Sequence, residues 1–374
     1  MHSSVTPDAH AEGPADGEPS SRAREMSSMR AHSSEEALQH IFADGSRTSA
    51  ALGFGYRRLW GTLADATDGG KRVRPALFTA AYRSWGGTDT GAAAVVGAAI
   101  ELLHTAFVVH DDVIDGDDTR HGRLNVSGAH IEQARAGGVE AVRAREYGAA
   151  AGILAGDLAL AAALKAVATC PAPRPIVHEL LELFDRALHV TAAGELADVR
   201  MSLFPEQPTL DETLTVEERK TGVYSFGLPL QAGAVLAQAP AEALQPAGDV
   251  GRSLGIAFQL VDDILGVFGD PATTGKSAVN DLRSGKQTPL IAHARTTASW
   301  PDIAPYVGRP DLSETQVADV REMLVDCGSR RFVEDLATDY AADALALGAQ
   351  AGMPPALVTW MTAMTSDLLG RAAA

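Results

Sequence analysis

Twice in this chain an apolar run with helical spacing ends in paired aspartates, and few folds accommodate that. The first run is Glu101-Leu-Leu-His104-Thr-Ala106-Phe107-Val-Val-His-Asp111-Asp112-Val-Ile-Asp115; the second is Ile256-Ala-Phe-Gln259-Leu-Val-Asp262-Asp263-Ile-Leu-Gly266. Asp111 and Asp115, four residues apart, share one helix face. Like charges at that spacing weaken a helix by about 0.2–0.5 kcal/mol per pair, and here they sit at the negative pole of the helix dipole. Negative charge so placed points to a bound cation. Oxygen donors without a neighbouring cysteine fit Mg²⁺ better than zinc. A single acidic cluster after a helix is more often a solvated loop. The second one, roughly 150 residues downstream, changes the balance, because two such helices can face each other across a bundle and build a carboxylate metal site.

A chain of 374 residues can bury a substantial core. Alanine and leucine are abundant, aromatics make up 5%, and alternating β-branched runs are scarce, so an all-α protein is expected. The formal charge of −17, from 31 basic and 48 acidic residues, argues against nucleic acid and against an acidic membrane surface. A phosphate-bearing ligand would need a local basic pocket or a metal. Two cysteines, Cys170 and Cys327, make no disulfide framework and suit a reducing cytoplasm. Residues 1–33 lack apolar periodicity and an apolar h-region, and read as a disordered tail rather than a secretory signal. No later run reads as long and apolar enough to span a bilayer. Without repeats or linkers, residues 34–374 are expected to form one domain.

Taken in order, a helix is expected from Ser34 to Asp65, and Gly69-Gly70-Lys71-Arg72-Val73-Arg74-Pro75 is a glycine turn opening into the next. Lys71 and Arg74 share a face at that helix's start, where cations oppose the dipole but an anion would be held by dipole, free N–H groups and both side chains. The apolar stretch from Asp89 to Val113 is a central buried helix, so the first aspartate cluster caps a core element. Residues 125–138 read as a loop with a short helix at most, and Glu140 to Thr169 as a buried helix pair. Glu195 and Asp198, on a helix from Val177 to Met201, read by themselves as a solvated face, and Lys220-Thr221 as helix punctuation. Asp270-Pro-Ala-Thr-Thr-Gly275-Lys276-Ser277 is not a P-loop, since Asp270 stands where the first glycine is required and a helix precedes it. It reads as a mobile loop whose Lys276 can swing over an anion. From Ala318 onward the pattern is amphipathic helix without polar clusters.

These motifs, in this order, resemble the polyprenyl synthetase family, the trans-isoprenyl diphosphate synthases: Gly-Lys71-Arg-Val-Arg74-Pro, His-Asp111-Asp-Val-Ile-Asp115, Gly-Asp157, Lys220-Thr221, Phe-Gln259-Leu-Val-Asp262-Asp263, Gly-Lys276, and Asp281 to Lys286. The resemblance implies an all-α bundle of antiparallel helices around a deep central cavity, working as a homodimer. It implies three Mg²⁺ on the diphosphate of an allylic substrate, with Asp111, Asp115 and Asp262 as direct ligands and Asp112 and Asp263 in support. Arg120, Lys220 and Lys276 would hold that diphosphate. Lys71, Arg74 and His104 would hold isopentenyl diphosphate, together with His121, which stands where the family usually has a second arginine. Thr221, Gln259 and the backbone carbonyl at Lys220 would steady the allylic cation, with the released diphosphate as base. Histidine is largely neutral above pH about 6.5, so His121 is expected to weaken that site and make it pH-dependent. Gly266 replaces a third aspartate of the second cluster, and Asp270 is a possible substitute.

In the family, side chains four and five residues before the first aspartate stop the growing chain. Here they are Phe107 and Ala106, one large and one small, which implies geranylgeranyl diphosphate as the main product and farnesyl diphosphate as the runner-up. A class I terpene cyclase shares the fold and the metals, but Asn280-Asp281-Leu-Arg-Ser284 is followed by Thr288 where its metal motif needs glutamate. A ferritin-like di-iron bundle needs two Glu-x-x-His motifs, and Glu101-Leu-Leu-His104 supplies one. A non-catalytic subunit would not need both aspartate pairs.

Overall fold

The computed structural model describes residues 21–120, 122–204, 207–269 and 280–372, with the backbone alone for residues 21–33 and 280. Helix α1 (Ser21–Ala50) is followed by α2 (Phe54–Thr67), α3 (Val73–Ser84) and α4 (Thr90–Asp115). A two-residue hairpin, β1 (Thr119–Arg120) with β2 (Arg123–Leu124), pairs Thr119 with Leu124 and Arg120 with Arg123. Then come α5 (Val126–Ala136), α6 (Ala141–Ala168), α7 (Arg174–Leu203), α8 (Leu210–Glu217), a π-helix (Glu218–Gly227), α9 (Leu228–Leu236) and α10 (Leu244–Phe268). The remainder is α11 (Asn280–Ser284), α12 (Pro289–Ala294), α13 (Trp300–Ile303), α14 (Glu314–Asp326), α15 (Ser329–Gln350) and α16 (Pro355–Ala372).

Helix α4 is the axis of the bundle. Asp89 caps it, its side chain accepting from the backbone N–H of Gly91 and Ala92 at 2.9 and 3.0 Å. Every residue from Val96 to Leu103 is buried, so its middle is apolar on all sides and packs against α6, α1 and α3. Gly116, in the left-handed conformation at φ 71°, ends it just past Asp115. The second acidic helix, α10, lies against α15, the π-helix and α9. Its Gly255 lies so close to the π-helix that a Cβ would stand 2.2 Å from the Cα of Gly222. Only glycine permits that backbone approach, which sets the π-helix against the aspartate-bearing end of α10.

Several expectations are corrected. The helix read as Ser34–Asp65 is two helices, broken before Phe54 where Gly53 adopts φ 100°, and α1 starts at Ser21 inside the stretch read as tail; residues 1–20 lie outside the described residues. Residues 126–136 form a full helix capped by Asn125, whose side chain accepts from Gly128 N–H at 2.8 Å, rather than a loop. The pair expected at 140–169 is the single helix α6. By length and composition α4 and α6 are both apolar enough to cross a membrane, contrary to the reading of the sequence. Most of α4 is covered by the rest of the bundle, whereas α6 is covered along less than half of the same span.

Candidate active site

The first acidic wall is held by two cations. Arg120, projected from the hairpin, reaches Asp112 with Nε at 2.9 Å and Asp111 with a terminal nitrogen at 3.1 Å. Lys220, from the π-helix, places Nζ 3.1 Å from Asp111, 3.0 Å from Glu195 and 2.8 Å from Asp198. Gly194 makes this possible: a Cβ there would stand 2.5 Å from the backbone nitrogen of Lys220. Burial works against the charge of Lys220, but Asp111, Asp198 and Glu195 outweigh it and hold its pKa above the ordinary lysine value. Asp115 opens toward solvent, yet the surrounding protein and the Asp111 charge push its carboxyl up to about 6. Desolvation pushes Glu195 up to about 7 despite Lys220. Three carboxylates around one ammonium leave net negative charge on this wall.

The second wall is built around Asp263. Its Oδ1 accepts from Gln259 Nε2 at 3.1 Å and lies 3.3 Å from Lys286 Nζ. Thr221 Oγ donates to Gln259 Oε1 at 3.0 Å, which ties the π-helix to α10. Asp263 Oδ2 is buried without a hydrogen-bond donor, beside the buried carboxyl of Glu217. Burial pushes both carboxyls up, and the charge of Lys286 works against that at each. Asp262, by contrast, is exposed. At Gly266 the carboxylate of Asp281 fills the space a side chain would need, its Oδ2 lying 2.2 Å from the position of a Cβ. The charge of Asp198 acts on Asp115 and on Lys286, so the two walls share one electrostatic field.

A second cationic patch lies at the start of α3. Arg74 Nε donates to Ser225 Oγ at 3.0 Å, and its guanidinium lies 5.3 Å from the centre of the Tyr224 ring. The Tyr224 hydroxyl lies 3.2 Å from His104 Nδ1. Lys71 is exposed; partial burial, then the nearby Arg371, lowers its pKa. Tyr224 also meets Phe107 edge-on at 4.7 Å, joining the patch to the apolar cluster below. Phe107 packs in the cluster containing Leu103, Phe184 and Leu228, whereas Ala106 packs with Leu59, Trp60 and Ala155 of another.

The structure therefore brings Asp111, Asp112, Asp115, Arg120 and Lys220 into one group, Thr221, Gln259 and Asp263 into another, and Arg74 and His104 into a third. His121, Lys276 and Asp270 lie outside the described residues. Glu195 and Asp198 are not the solvated face the sequence suggested but two of the three carboxylates on Lys220. Their spacing of three was the available signal; their partner lies on another helix. Glu217 and Tyr224 carried too little local pattern to be read as site residues, and Lys286, which closes one of the motifs of the resemblance, shows its partner Asp263 only in the fold.

Among the described residues, no three acidic, histidine or cysteine side chains converge as a ready-made metal cage. The oxygen donors of Asp111, Asp115 and Asp262 suit a hard cation such as Mg²⁺, which is commonly held by one or two carboxylates together with water and substrate phosphate oxygens.

A family model described as polyprenyl synthetase matches residues 60–324. The chain is 34% identical over 278 residues to a geranylfarnesyl diphosphate synthase of Aeropyrum pernix, covering 73% of this chain and 80% of that protein. It is 32% identical over 294 residues to a (2E,6E)-farnesyl diphosphate synthase of Mycobacterium bovis, covering 76% and 75%. Its fold is similar to that of a geranylgeranyl pyrophosphate synthase from Corynebacterium glutamicum, solved in complex with isoprenyl diphosphate and magnesium. That comparison has a TM-score of 0.84 and 27% identity, and covers 90% of this chain and 97% of the other.

Proposed function

The chain belongs to the polyprenyl synthetase family, and from that premise we propose that it condenses isopentenyl diphosphate with an allylic diphosphate, giving mainly geranylgeranyl diphosphate. The observation that carries the reading is the arrangement of two acidic walls joined through Lys220 and Asp198, with a separate cationic patch at Arg74 and His104. One substrate diphosphate needs metal, and the other needs only cations; the molecule offers both kinds of place.

Asp111, Asp115 and Asp262 would hold Mg²⁺, three ions in all, with Asp112 and Asp263 held in support by Arg120 and Lys286. Bound there, the metal stabilises negative charge developing on the departing diphosphate. Lys220 and Arg120 are already aimed at the same region and add charge-assisted hydrogen bonds to the phosphate oxygens. Lys276 is proposed to join them. Thr221 and Gln259, linked to each other, supply oxygen lone pairs beside the allylic cation without offering it a strong nucleophile. The patch of Lys71, Arg74 and His104, with His121, orients isopentenyl diphosphate so that its C=C attacks that cation. The departed diphosphate takes the proton.

The geranylgeranyl product rests on Phe107, half-buried and braced by Tyr224, beside the small Ala106. The named relatives make farnesyl, geranylgeranyl and geranylfarnesyl diphosphates, so the family spans lengths on both sides. We further propose one catalytic domain over residues 34–374, a cytoplasmic location in keeping with two free cysteines, and a homodimer joined through the partly uncovered apolar helix α6. Incubation with labelled isopentenyl diphosphate and each of dimethylallyl, geranyl and farnesyl diphosphate, read by mass, tests the reaction. A twenty-carbon diphosphate is expected; a farnesyl end product would favour the shorter synthase, and hydrocarbon release from farnesyl diphosphate alone a cyclase.

A further inference from the structure

Between Lys71 and Arg74 stands Arg72, a residue that the functional reading does not use. Its backbone is left-handed, φ 49° and ψ 36°, at the N-cap of α3. Among the described residues only Gln238 shares a positive φ without being glycine. A residue with a Cβ adopts this conformation at a conformational cost, so something must hold it there. Gly69 and Gly70, at φ 91° and 76°, make the turn possible but do not fix it, since glycine accepts many alternatives.

The side chain fixes it. Arg72 Nε donates to Glu35 of α1 at 3.1 Å, and one terminal nitrogen reaches both the Thr67 carbonyl at the end of α2 and Glu101 of α4, each at 2.7 Å. The other terminal nitrogen lies 3.0 Å from Glu35. Glu101 is 6% exposed, and its second oxygen is buried without a partner, so this carboxylate depends on Arg72. A single guanidinium thus ties α1, α2 and α4 to the N-cap of α3. With two carboxylates on it, Arg72 has no charge to spare for a substrate. Arg74 instead meets the neutral hydroxyls of Ser225 and Tyr224, which leave its positive charge uncompensated.

We propose that Arg72 is a positioning residue for the isopentenyl diphosphate site: its fork between Glu35, Glu101 and the Thr67 carbonyl locks the left-handed turn that brings Lys71 and Arg74 to one anion, without touching that anion. The inference rests on the functional reading above. A lysine at 72 keeps the charge and can neutralise Glu101, but it has no planar fork and cannot reach three partners at fixed angles. Glu35, on α1, can be removed without leaving a buried charge, because Arg72 keeps Glu101.

The test uses the full chain with Mg²⁺ and compares wild type, Arg72→Lys, Glu35→Gln and Lys71→Ala, together with the double variant of the first and last. Affinity for isopentenyl diphosphate alone is measured by calorimetry, and both substrates' KM values and kcat by turnover. Arg72→Lys is expected to weaken isopentenyl diphosphate about tenfold, the size expected for one misplaced charge-assisted contact, with the allylic KM and kcat within about twofold. Glu35→Gln should move the same constant in the same direction by a smaller factor. In the double variant the effect of Arg72→Lys should shrink to the part that acts through Arg74, because the part that acts through Lys71 is already lost. Unchanged isopentenyl diphosphate affinity in Arg72→Lys, or an equal rise in both KM values, would overturn the proposal. Wild-type protein that neither binds nor consumes isopentenyl diphosphate would instead sink the functional reading beneath it.

Discussion

Tyr224 is where the proposed substrate site and the proposed product floor meet: its hydroxyl faces His104 and its ring braces Phe107. Truncating Phe107 removes the ring that meets Tyr224 edge-on and leaves Tyr224 unsupported. Phe107→Ala is therefore expected to shift the product toward longer chains by at least one isoprene unit, read by mass, while the rate of the first condensation changes little. An unchanged product distribution would place the floor elsewhere. At this scale the sequence was informative wherever chemistry is written in consecutive letters. Asp111, Asp115, Asp262 and Lys71 stand out because their types and spacings conflict with simple helix formation. Glu195 and Asp198 did not stand out, because acids three apart on a helix are ordinary until Lys220 arrives from another element. Arg72 was hidden for the same reason, its three partners being spread over three helices.

The π-helix from Glu218 to Gly227 is the element that assembles the site, since it carries Lys220 and Thr221 to different walls. Its widened turn was not legible, because nothing in Lys-Thr-Gly-Val-Tyr-Ser announces a π-helix; the glycines that let it approach α10 lie on both partners and are meaningful only as a contact. The crowding it creates has a consequence in protons. Asp115, near 6, and Glu195, near 7, hold protons more tightly folded than unfolded, where carboxyls titrate near about 4. Their contribution thus favours the folded metal-free protein most below pH about 4, and is lost as pH rises through the folded values. Buried His130 and half-buried His293, held below the ordinary histidine value by desolvation, act with the opposite sign, so raw stability against pH mixes the two. Metal-linked proton release separates them. Mg²⁺ titrated at pH 6 in two buffers of different ionisation enthalpy should give different heats, and the difference should shrink at pH 8 and in Asp115→Asn. Buffer-independent heats at pH 6 would show that Asp115 is not a ligand.

For the molecule as a whole, the fold class followed from apolar periodicity and from two acidic helix ends that make sense only across a bundle. Breaks at Gly53 and the capped helix α5 were missed because turn residues also occur inside helices and Asn125 has a cap's meaning only once Gly128 N–H is seen bonding to it. Helix α6 exposes Val142, Tyr147, Ile153 and Leu154, more apolar surface than a helix in a lone bundle needs to leave open. If two copies meet there, Leu154→Glu should yield monomers in sedimentation, while wild type sediments as a dimer; a monomeric wild type would refute the assignment.

The central claim is that both acidic walls act on one allylic diphosphate while a separate cationic patch holds the second substrate. The most direct measurement is steady-state condensation by Asp111→Asn and Asp262→Asn, each with both substrates varied. The account predicts that each substitution lowers kcat by about 10²–10³, the scale for removing one group that stabilises developing charge, with the isopentenyl diphosphate KM within about threefold of wild type. Full kcat in either variant, or a loss confined to the isopentenyl diphosphate KM, would contradict it.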